Sequence, residues 1–377
     1  MDFEQTRAEN DELLLGKIDR VASGTDVDAL EPFARAYLGL FLDIDSNIAP
    51  RDRIALLANP TLAAAVVDGF AAALERLELP TPAEIGTALV RGEPFIQGFI
   101  VLAGMDIVSQ RAPSAMLDLG DKTLAAALCF HYANSTYHAD AWLRQLLRAH
   151  PRLGARTLLE FWEPQMRAHL DALPGLSELL ADGSLDGVLK EVLIPLLERW
   201  QDCTWRTQRA LLLAALRHVD HAVLATAVSK RLAKLPREQI RKYTYWLATA
   251  FLLQPERYAA DLQPFCGRSK EKLLPLLDFV VAVLADEQGF KLRLPPLAVA
   301  ELLNVIAPRF APQQDRYGQL CENTQKVLSL FERLAVETSP EARDAVEMLR
   351  SVRVMGIYSD TLEDIARRQA RAGPTEH

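Results

Sequence analysis

Residues 185–200 read LDGVLKEVLIPLLERW and repeat apolar side chains at the spacing of an amphipathic helix. The apolar positions follow the i, i+3, i+4, i+7 rule, and the charged side chains fall on the opposite face. Pro195 lies inside the apolar stripe, so the pattern predicts a kink or a break there. The stretch 324–337, TQKVLSLFERLAVE, repeats the same periodicity. Such stripes are buried against neighbouring helices, and packed helices are therefore the expected architecture.

The same helical periodicity extends along the rest of the chain, and strand-like alternation is almost absent. The one short candidate, GFKLRLPP at 289–296, contains two prolines that favour an extended linker over a sheet strand. In the second half the helices pair into units of roughly 34 to 45 residues, the length of two-helix repeats. The couples start near Leu185, His221, Pro255, Pro295 and Pro340. We therefore predict an all-α fold, an irregular HEAT-like α-solenoid of stacked antiparallel helix pairs.

Helix boundaries and weak points follow from proline, glycine and capping residues. Ser339 before Pro340 is typical of a helix N-terminus, with serine as the cap and proline at the first helical position. Glycine and proline cluster at 181–187 and 286–296, where few contacts are expected to cross. The predicted organisation is an N-terminal helical bundle or solenoid start at 1–180, a helical-repeat region at 181–310, and a C-terminal helical cap with a frayed tail at 311–377.

Composition excludes several classes of protein. Half of the residues are apolar, which is normal for a folded core and excludes disorder as the main state. The formal net charge of −8 argues against a general nucleic-acid coat or a binder of anionic membranes, because such proteins carry excess Lys and Arg. The apolar stretches 94–108 and 273–284 are too short to span a bilayer, which needs about 20 apolar residues. They are expected to be buried helices of a soluble core.

The cysteines and the N-terminus indicate a cytoplasmic protein. The cysteines are far apart and form no CxxC pair, which differs from the disulfide framework of small secreted domains. They are expected to be buried reduced thiols, at Cys129, Cys203, Cys266 and Cys321. The acidic N-terminus, MDFEQTRAEN, lacks the features of a secretory signal peptide.

Motifs for chemistry are missing from the sequence. The one Gly-Lys pair, at 16–17, lacks the Ser or Thr of a phosphate-binding loop, and no GxGxxG occurs. His131 and His138 could bind one metal ion only together with further ligands. A polar helix–helix junction is therefore the favoured interpretation. His218 and His221 flank Asp220 without an HExxH motif, which favours a helix end with Asp220 as the next N-cap. No catalytic, metal or cofactor residue is therefore assigned.

One local charge feature departs from the acidic average. Basic residues crowd between 230 and 242, and stacking of successive helix pairs is expected to add two more. The set is Lys230, Arg231, Lys234, Arg237, Arg241, Lys242, Arg268 and Lys270. Aromatic residues follow at once, and a basic groove with aromatic neighbours suits an acidic protein surface or nucleic acid. The alternative is a solvated helix face whose aromatic residues lie in the core.

Three stretches carry a resemblance to a known family. They are LDIDSNIAPRDRIALLANP with its continuation to residue 108, ALRHVDHAVLATAV at 215–228, and KYTYWLATAFLLQPERYAADLQPF at 242–265. They resemble the large helical C-terminal region of bacterial NACHT-type signal-transduction ATPases, over roughly 27–310 and more faintly to 355. The resemblance implies a sensor or scaffold role, often in antiphage defence. The ATPase motifs of the family are missing, so no functional residue carries over.

The combined expectation is a non-enzymatic module that recognises a protein partner, such as a separately encoded ATPase or effector, without a cofactor. The chain would be a split component, a free-standing descendant or an excised fragment. The principal alternative is a nucleic-acid-binding helical-repeat protein that uses the 230–242 patch. A further alternative is a helical enzyme with His131 and His138 near its site.

Overall fold

A computed structural model describes residues 2–93, 95–134, 140–314 and 319–372 of the chain. Within these ranges the backbone forms helices and their connections without a β-strand, and one isolated antiparallel bridge joins Gln314 to Leu320. The all-α prediction is confirmed. The helices pack into two compact units, Met1–Cys203 and Thr204–His377, called unit 1 and unit 2 below. The three-part organisation with boundaries at 180 and 310 stays a prediction.

Unit 1 contains the first thirteen helices found in its described residues. They are α1 (Phe3–Leu14), α2 (Ile18–Ala22), α3 (Val27–Tyr37), α4 (Pro50–Leu57), α5 (Pro60–Arg76), α6 (Pro82–Arg91), α7 (Ile96–Arg111), α8 (Pro113–Leu117), α9 (Asp121–Ala133), α10 (Asp140–Ala149), α11 (Pro151–Arg167), α12 (Leu176–Ala181) and α13 (Asp186–Arg199). Short 3₁₀ segments lie at Leu15–Lys17 and Gly183–Leu185. Helices α5 and α7 pack together, and α11 packs against both α6 and α13.

Close helix packing in unit 1 depends on glycine inside helices. Gly86 of α6 faces the backbone of α11, and a Cβ added there would lie 2.2 Å from the carbonyl oxygen of Phe161. Gly69 of α5 faces α2 in the same way, 2.1 Å from the carbonyl oxygen of Val21. Because glycine in a helix costs about 1 kcal/mol relative to alanine, its presence at these positions reflects the packing that it permits.

Unit 2 contains the remaining helices of the described residues. They are α14 (Trp205–His218), α15 (His221–Leu232), α16 (Ile240–Leu253), α17 (Pro255–Cys266), α18 (Lys270–Leu284), α19 (Glu287–Phe290), α20 (Pro296–Ile306), α21 (Glu322–Val336), α22 (Pro340–Ser351) and α23 (Ser359–Ala372). Short 3₁₀ segments lie at Ala307–Arg309 and Arg353–Tyr358. Helix α14 packs on α16, α16 on α18, and α18 on α21, while α17 packs on α20 and α20 on α22.

The boundary signals of the sequence agree with the helix ends. Helix α22 begins at Pro340, and the Ser339 side chain accepts the backbone N–H of Ala342 at 3.1 Å. The Asp220 side chain caps α15 by accepting the N–H groups of Ala222 and Val223, so both capping predictions are confirmed. The predicted couples begin at or within one residue of helix starts, at Asp186, His221, Pro255, Pro296 and Pro340.

Helix α13 differs from the expectation at Pro195. The helix runs from Asp186 to Arg199 without a break, and the proline lies inside it. A proline removes one backbone hydrogen bond and crowds the preceding turn. Burial of the apolar stripe on both sides outweighs that cost, through Val188, Leu189, Val192, Leu193, Leu196 and Leu197.

The two most apolar stretches form buried helices, as expected. Stretch 96–108 belongs to α7, where residues such as Ile100, Leu102 and Met105 have no exposed surface. Stretch 273–284 belongs to α18, which buries Phe279 and Val280 completely. Among the described residues, no helix combines the length and the apolar character needed to cross a bilayer.

Candidate partner-binding groove

The predicted basic residues lie at the junctions between α15, α16, α17 and α18. Lys230 and Arg231 end α15, Arg241 and Lys242 lie in the first turn of α16, and Lys270 begins α18. Lys234, Arg237 and Arg268 lie in the connections between these helices. The aromatic residues that follow in α16 are core residues, because Tyr243, Tyr245 and Trp246 are each less than a tenth exposed. Two residues of the predicted set, Arg237 and Arg241, contact aromatic rings, and they belong to two different clusters.

The first cluster surrounds Tyr243 and Phe265. The guanidinium carbon of Arg237 lies 5.7 Å from the ring centroid of Tyr243, and the two rings lie 4.6 Å apart. Lys272 covers the ring of Phe265 at 4.3 Å and donates a hydrogen bond to the Phe265 carbonyl oxygen at 2.8 Å. Lys272 therefore satisfies the C-terminal carbonyls of α17, which is a structural role.

The second cluster surrounds Trp205, at the first position of α14. The guanidinium carbon of Arg241 lies 4.5 Å from the centroid of this ring, and that of Arg206 lies 4.9 Å from it. Tyr245, one turn beyond Arg241 on α16, stacks on Trp205 with 6.2 Å between centroids. Cation–π contacts of this kind hold two arginines in place against one aromatic ring.

These residues form one wall of a groove of about 680 Å³. The opposite wall comes from α18 and α21. We call this feature the arginine groove and define it by its lining residues, Trp205, Arg206, Arg209, Arg241, Tyr245, Glu271, Leu274, Pro275, Asp278 and Lys326. Of the eight predicted residues, only Arg241 lines it.

Arg209 lines the same wall, and its charge influences the pKa of Tyr245. Burial raises the pKa of the Tyr245 phenol, and the positive charges of Arg209 and Arg241 oppose that rise. Asp278, on the far wall, adds to it. The charges of both arginines therefore lower the pKa of Tyr245, which also lines the groove.

The lysine of the far wall, Lys326, is paired with carboxylates. Lys326 of α21 donates a hydrogen bond to Asp278 of α18 at 2.8 Å and pairs with Glu322 one turn before it. Burial acts to lower the pKa of Lys326, but the bonds to Asp278 and Glu322 outweigh it and raise that pKa. Lys326 therefore forms ion pairs with two carboxylates, whereas the arginines of the near wall form none within the described part of the chain.

Arg206, Arg209 and Arg241 form no ion pair with any carboxylate among the residues that the structure describes. The first turns of α14 and α16 contain no acidic residue either. The N-terminal end of a helix carries a partial positive charge, so cations placed there are unfavourable. Two helix N-termini and three arginines therefore leave an uncompensated positive charge in the groove.

Sequence reasoning did not identify Trp205, Arg206 or Arg209. Their signal is the local sequence TWRTQR at 204–209, where a cap residue is followed by a tryptophan, two arginines and no carboxylate. A helix start ordinarily favours Asp or Glu in this turn. Arginines at such a position are a recognisable departure from the rule.

A cavity of unit 1 is a weaker candidate. It measures about 920 Å³ and is lined mainly by residues of α9, α10 and α12 and their connections. Its arginines already have partners, because Arg144 pairs with Asp182 at 3.1 Å and Arg148 donates to Ser184 at 2.6 Å. Hydrogen bonds from Ser184 lower the pKa of Asp182, and the charges of Arg144 and Arg148 lower it further.

Of the two histidines considered as metal ligands, one is buried in unit 1 and the other lies outside the described residues. His131 is buried against Tyr132 and Trp142, with ring centroids 5.1 and 5.8 Å away, and His138 lies outside the described residues. The described residues contain no group of three or more His, Cys, Asp or Glu side chains that could hold a metal ion. His221 places Nε2 3.1 Å from the Leu216 carbonyl oxygen at the end of α14.

The described residues contain no disulfide bond, and all of the cysteines but Cys321 are buried. Burial raises the pKa of the Cys266 thiol to about 11, which keeps it protonated and unreactive at neutral pH. Burial also raises the pKa of Cys129.

Comparison with known proteins yields no relative: no family model, no curated protein and no solved structure matches this chain. Function is therefore argued from the residues of the groove and from the arrangement of the helices.

Proposed function

We propose that the chain is a non-enzymatic recognition module with an irregular HEAT-like solenoid architecture, and that unit 2 binds an acidic segment of a partner protein in the arginine groove. The observation that carries this proposal is the convergence of Arg206, Arg209 and Arg241 on one wall without carboxylate partners. A ligand that supplies negative charge relieves both the repulsion among the arginines and the unfavourable placement at helix N-termini.

The helix contacts of unit 2 support the solenoid interpretation. Helices α14 and α16 contact each other, and their first turns meet through Trp205 and Arg241. Helices α18 and α21 run in the same direction, since Lys326 contacts Asp278 while Arg333, two turns later, donates to the Leu284 carbonyl oxygen. Helices α17, α20 and α22 contact one another in a second row. Two rows of alternating helices are the arrangement of stacked helix pairs.

An acidic protein segment fits the groove better than nucleic acid does. Nucleic acid is bound through a line of cations that follows the phosphates and through aromatic rings open for base stacking. Here the ring of Trp205 already contacts three side chains, and the far wall places Glu271 and Asp278 in the groove. The net charge of −8 also disfavours a polyanion as the general ligand.

The partner class follows from the resemblance to the helical region of NACHT-type ATPases. A separately encoded ATPase or effector is the partner that this resemblance favours, with the module acting as sensor or scaffold. Binding would control the partner through a difference in affinity between two of its states. A cytoplasmic location agrees with the four cysteines being reduced thiols.

The test is a comparison of labelled probes by fluorescence anisotropy with the full chain at low and moderate salt. The probes are an octaglutamate peptide, a single-stranded oligonucleotide and a duplex. The groove variant Arg206→Gln/Arg209→Gln/Arg241→Gln is matched by Arg350→Gln/Arg367→Gln/Arg371→Gln, which removes three exposed arginines of unit 2 outside the groove.

We expect octaglutamate to bind the wild type and the matched control, and to bind the groove variant about tenfold or more weakly. Absence of octaglutamate binding at low salt would overturn the proposal. Tighter binding of an oligonucleotide that depends on the same arginines would establish the nucleic-acid alternative instead.

A further inference from the structure

We propose that the anionic group recognised in the arginine groove is a phosphorylated side chain of the partner, a phosphate dianion rather than a carboxylate. This inference rests on the proposed function, since it names the chemistry of the ligand that the same groove binds. It follows from the amount of charge in the groove, from the way the arginines are held, and from the shape of the lining.

The near wall carries more positive charge than one carboxylate supplies, and Glu271 and Asp278 on the far wall balance part of it. Arg206, Arg209 and Arg241 are permanently charged, and the N-termini of α14 and α16 each add a partial positive charge. A single carboxylate supplies one negative charge and two oxygens. A phosphorylated side chain supplies about −1.5 to −2 at pH 7 and three strong acceptor oxygens.

The cation–π contacts bring two of the arginines to one aromatic ring. The guanidinium carbons of Arg206 and Arg241 lie 4.9 and 4.5 Å from the ring centroid of Trp205, so an anion bound in the groove beside this ring has guanidinium groups close to it. Planar guanidinium groups match phosphate oxygens in pairs, and lysine cannot reproduce this bidentate geometry. Because the cation–π contacts already order both side chains, binding immobilises fewer rotamers.

The rest of the lining suits a peptide that carries one such anion. Leu274 and Pro275 of α18 offer an apolar surface beside the charged wall, where the neighbouring side chains of a peptide can pack. Glu271 and Asp278 lie on the far wall, so the positive charge of the lining is concentrated on the near wall. A single phosphorylated residue within a mostly neutral segment meets both conditions.

The test is isothermal titration calorimetry of the full chain with three acetylated pentapeptides that differ only at the centre, which is phosphoserine, glutamate or serine. We expect the phosphoserine peptide to bind about tenfold or more tightly than the glutamate peptide, and inorganic phosphate to compete with it. Equal affinity for the two anionic peptides would overturn this inference and leave the proposed function intact. Failure of all three pentapeptides to bind, with octaglutamate still bound, would overturn it as well.

Two variants connect the effect to the groove. Arg241→Lys keeps the positive charge but removes the paired N–H donors of the guanidinium group. We therefore expect it to lower the affinity for the phosphoserine peptide more than the affinity for the glutamate peptide. Arg209→Gln reports the same site without altering the contacts on Trp205, and thermal melting checks that each variant is folded. Unchanged affinity of the phosphoserine peptide in both folded variants would contradict the assignment.

The pH dependence gives an independent readout. The second ionisation of phosphoserine has a pKa near 6, so its peptide should bind more tightly as the pH rises from about 5.5 to 7.5. The groove lining contains arginines with Tyr245, Glu271, Asp278 and Lys326, and none of these residue types ordinarily titrates in that range. The glutamate peptide should show no comparable change, and an equal change for both peptides would count against the phosphate.

Discussion

The guanidinium carbon of Arg241 lies 4.5 Å from the ring centroid of Trp205, and this contact joins the first turn of α16 to the first turn of α14. Trp205 is the one tryptophan of the five that is partly exposed, since Trp142, Trp162, Trp200 and Trp246 are at most 2% exposed. The contact therefore lies at the surface of unit 2 and organises the near wall of the arginine groove.

Replacement of this ring should destabilise the chain and the wall together. Trp205→Leu removes two cation–π contacts and the stacking on Tyr245, and we expect the free energy of unfolding to fall by about 1–3 kcal/mol. Trp205→Phe keeps an aromatic face and should lose less. Urea denaturation of both variants measures the difference, and equal stability of the two would contradict a role for the aromatic face.

Close packing of α6 on α11 should make Gly86 intolerant of a side chain. Gly86→Ala places a Cβ against the carbonyl oxygen of Phe161, so we expect it to destabilise the chain by about 1–3 kcal/mol. Gly16→Ala is the matched control, because a Cβ at that position meets no atom within 4 Å and should change stability by less than about 0.5 kcal/mol. Thermal melting compares the two variants. Equal melting temperatures would show that α6 and α11 are not in the close contact that excludes a side chain at Gly86.

The buried Arg53 should hold the loop between α3 and α4. Its guanidinium donates to the backbone carbonyl oxygens of Tyr37 at 2.8 Å, Ser46 at 2.5 Å and Ile48 at 2.8 Å. Three separate guanidinium nitrogens make these bonds, and the single nitrogen of a lysine cannot reach all three oxygens, so Arg53→Lys is expected to cost about 2–3 kcal/mol. The exposed Arg51 offers the matched change, Arg51→Lys, which should be neutral.

Limited proteolysis gives the local readout for this loop. Faster cleavage between residues 38 and 49 in Arg53→Lys than in the wild type or Arg51→Lys is the expected result. Unchanged cleavage in that interval would mean that the three bonds do not order the loop.

Alkaline pH should destabilise the folded chain through its buried phenols. Burial raises the pKa of Tyr358 to about 12, against an ordinary value near 10, and its O–H donates to the carbonyl oxygen of Phe310. The folded state binds this proton more tightly than the unfolded state does. Its contribution to stability is therefore complete below pH 10 and is lost as the pH rises from 10 toward 12, by up to about 2 kcal/mol.

Tyr358→Phe isolates that contribution. At neutral pH the variant should be less stable by about 1 kcal/mol, because the Phe310 carbonyl loses its donor. Between pH 10 and 11.5 the difference from the wild type should shrink, since the variant has no phenol to ionise at this position. Denaturant titrations across this range would contradict the account if the difference stayed constant.

Much of the helical framework was predictable because its signals are local. Serine before proline at 339–340 and Asp220 before α15 act on the backbone within one turn, and both capping predictions are confirmed. A kink or a break was expected at Pro195, and the helix contains no break there, because burial of the surrounding apolar residues is a tertiary effect that outweighs the local cost of proline. The stacking of the helix pairs stays a prediction.

The groove could be predicted only in part from the sequence, because its residues are far apart along the chain. Arg241 belongs to the predicted 230–242 patch, while Trp205 and Lys326 reach the same groove only through the packing of α14, α16, α18 and α21. Clustering of charge in the sequence was also misleading. Arg237, in the connection before α16, contacts Tyr243, whereas Arg241 of α16 contacts Trp205.

The most direct test of the binding surface is a fluorine NMR titration of the full chain labelled with fluorotryptophan, with the Trp205 resonance assigned through Trp205→Phe. On addition of the octaglutamate peptide, the Trp205 resonance should shift saturably, and the resonances of the four buried tryptophans should move much less. Binding of the peptide with an unmoved Trp205 resonance would contradict the account, and so would a larger shift at Trp142 or Trp162 in unit 1.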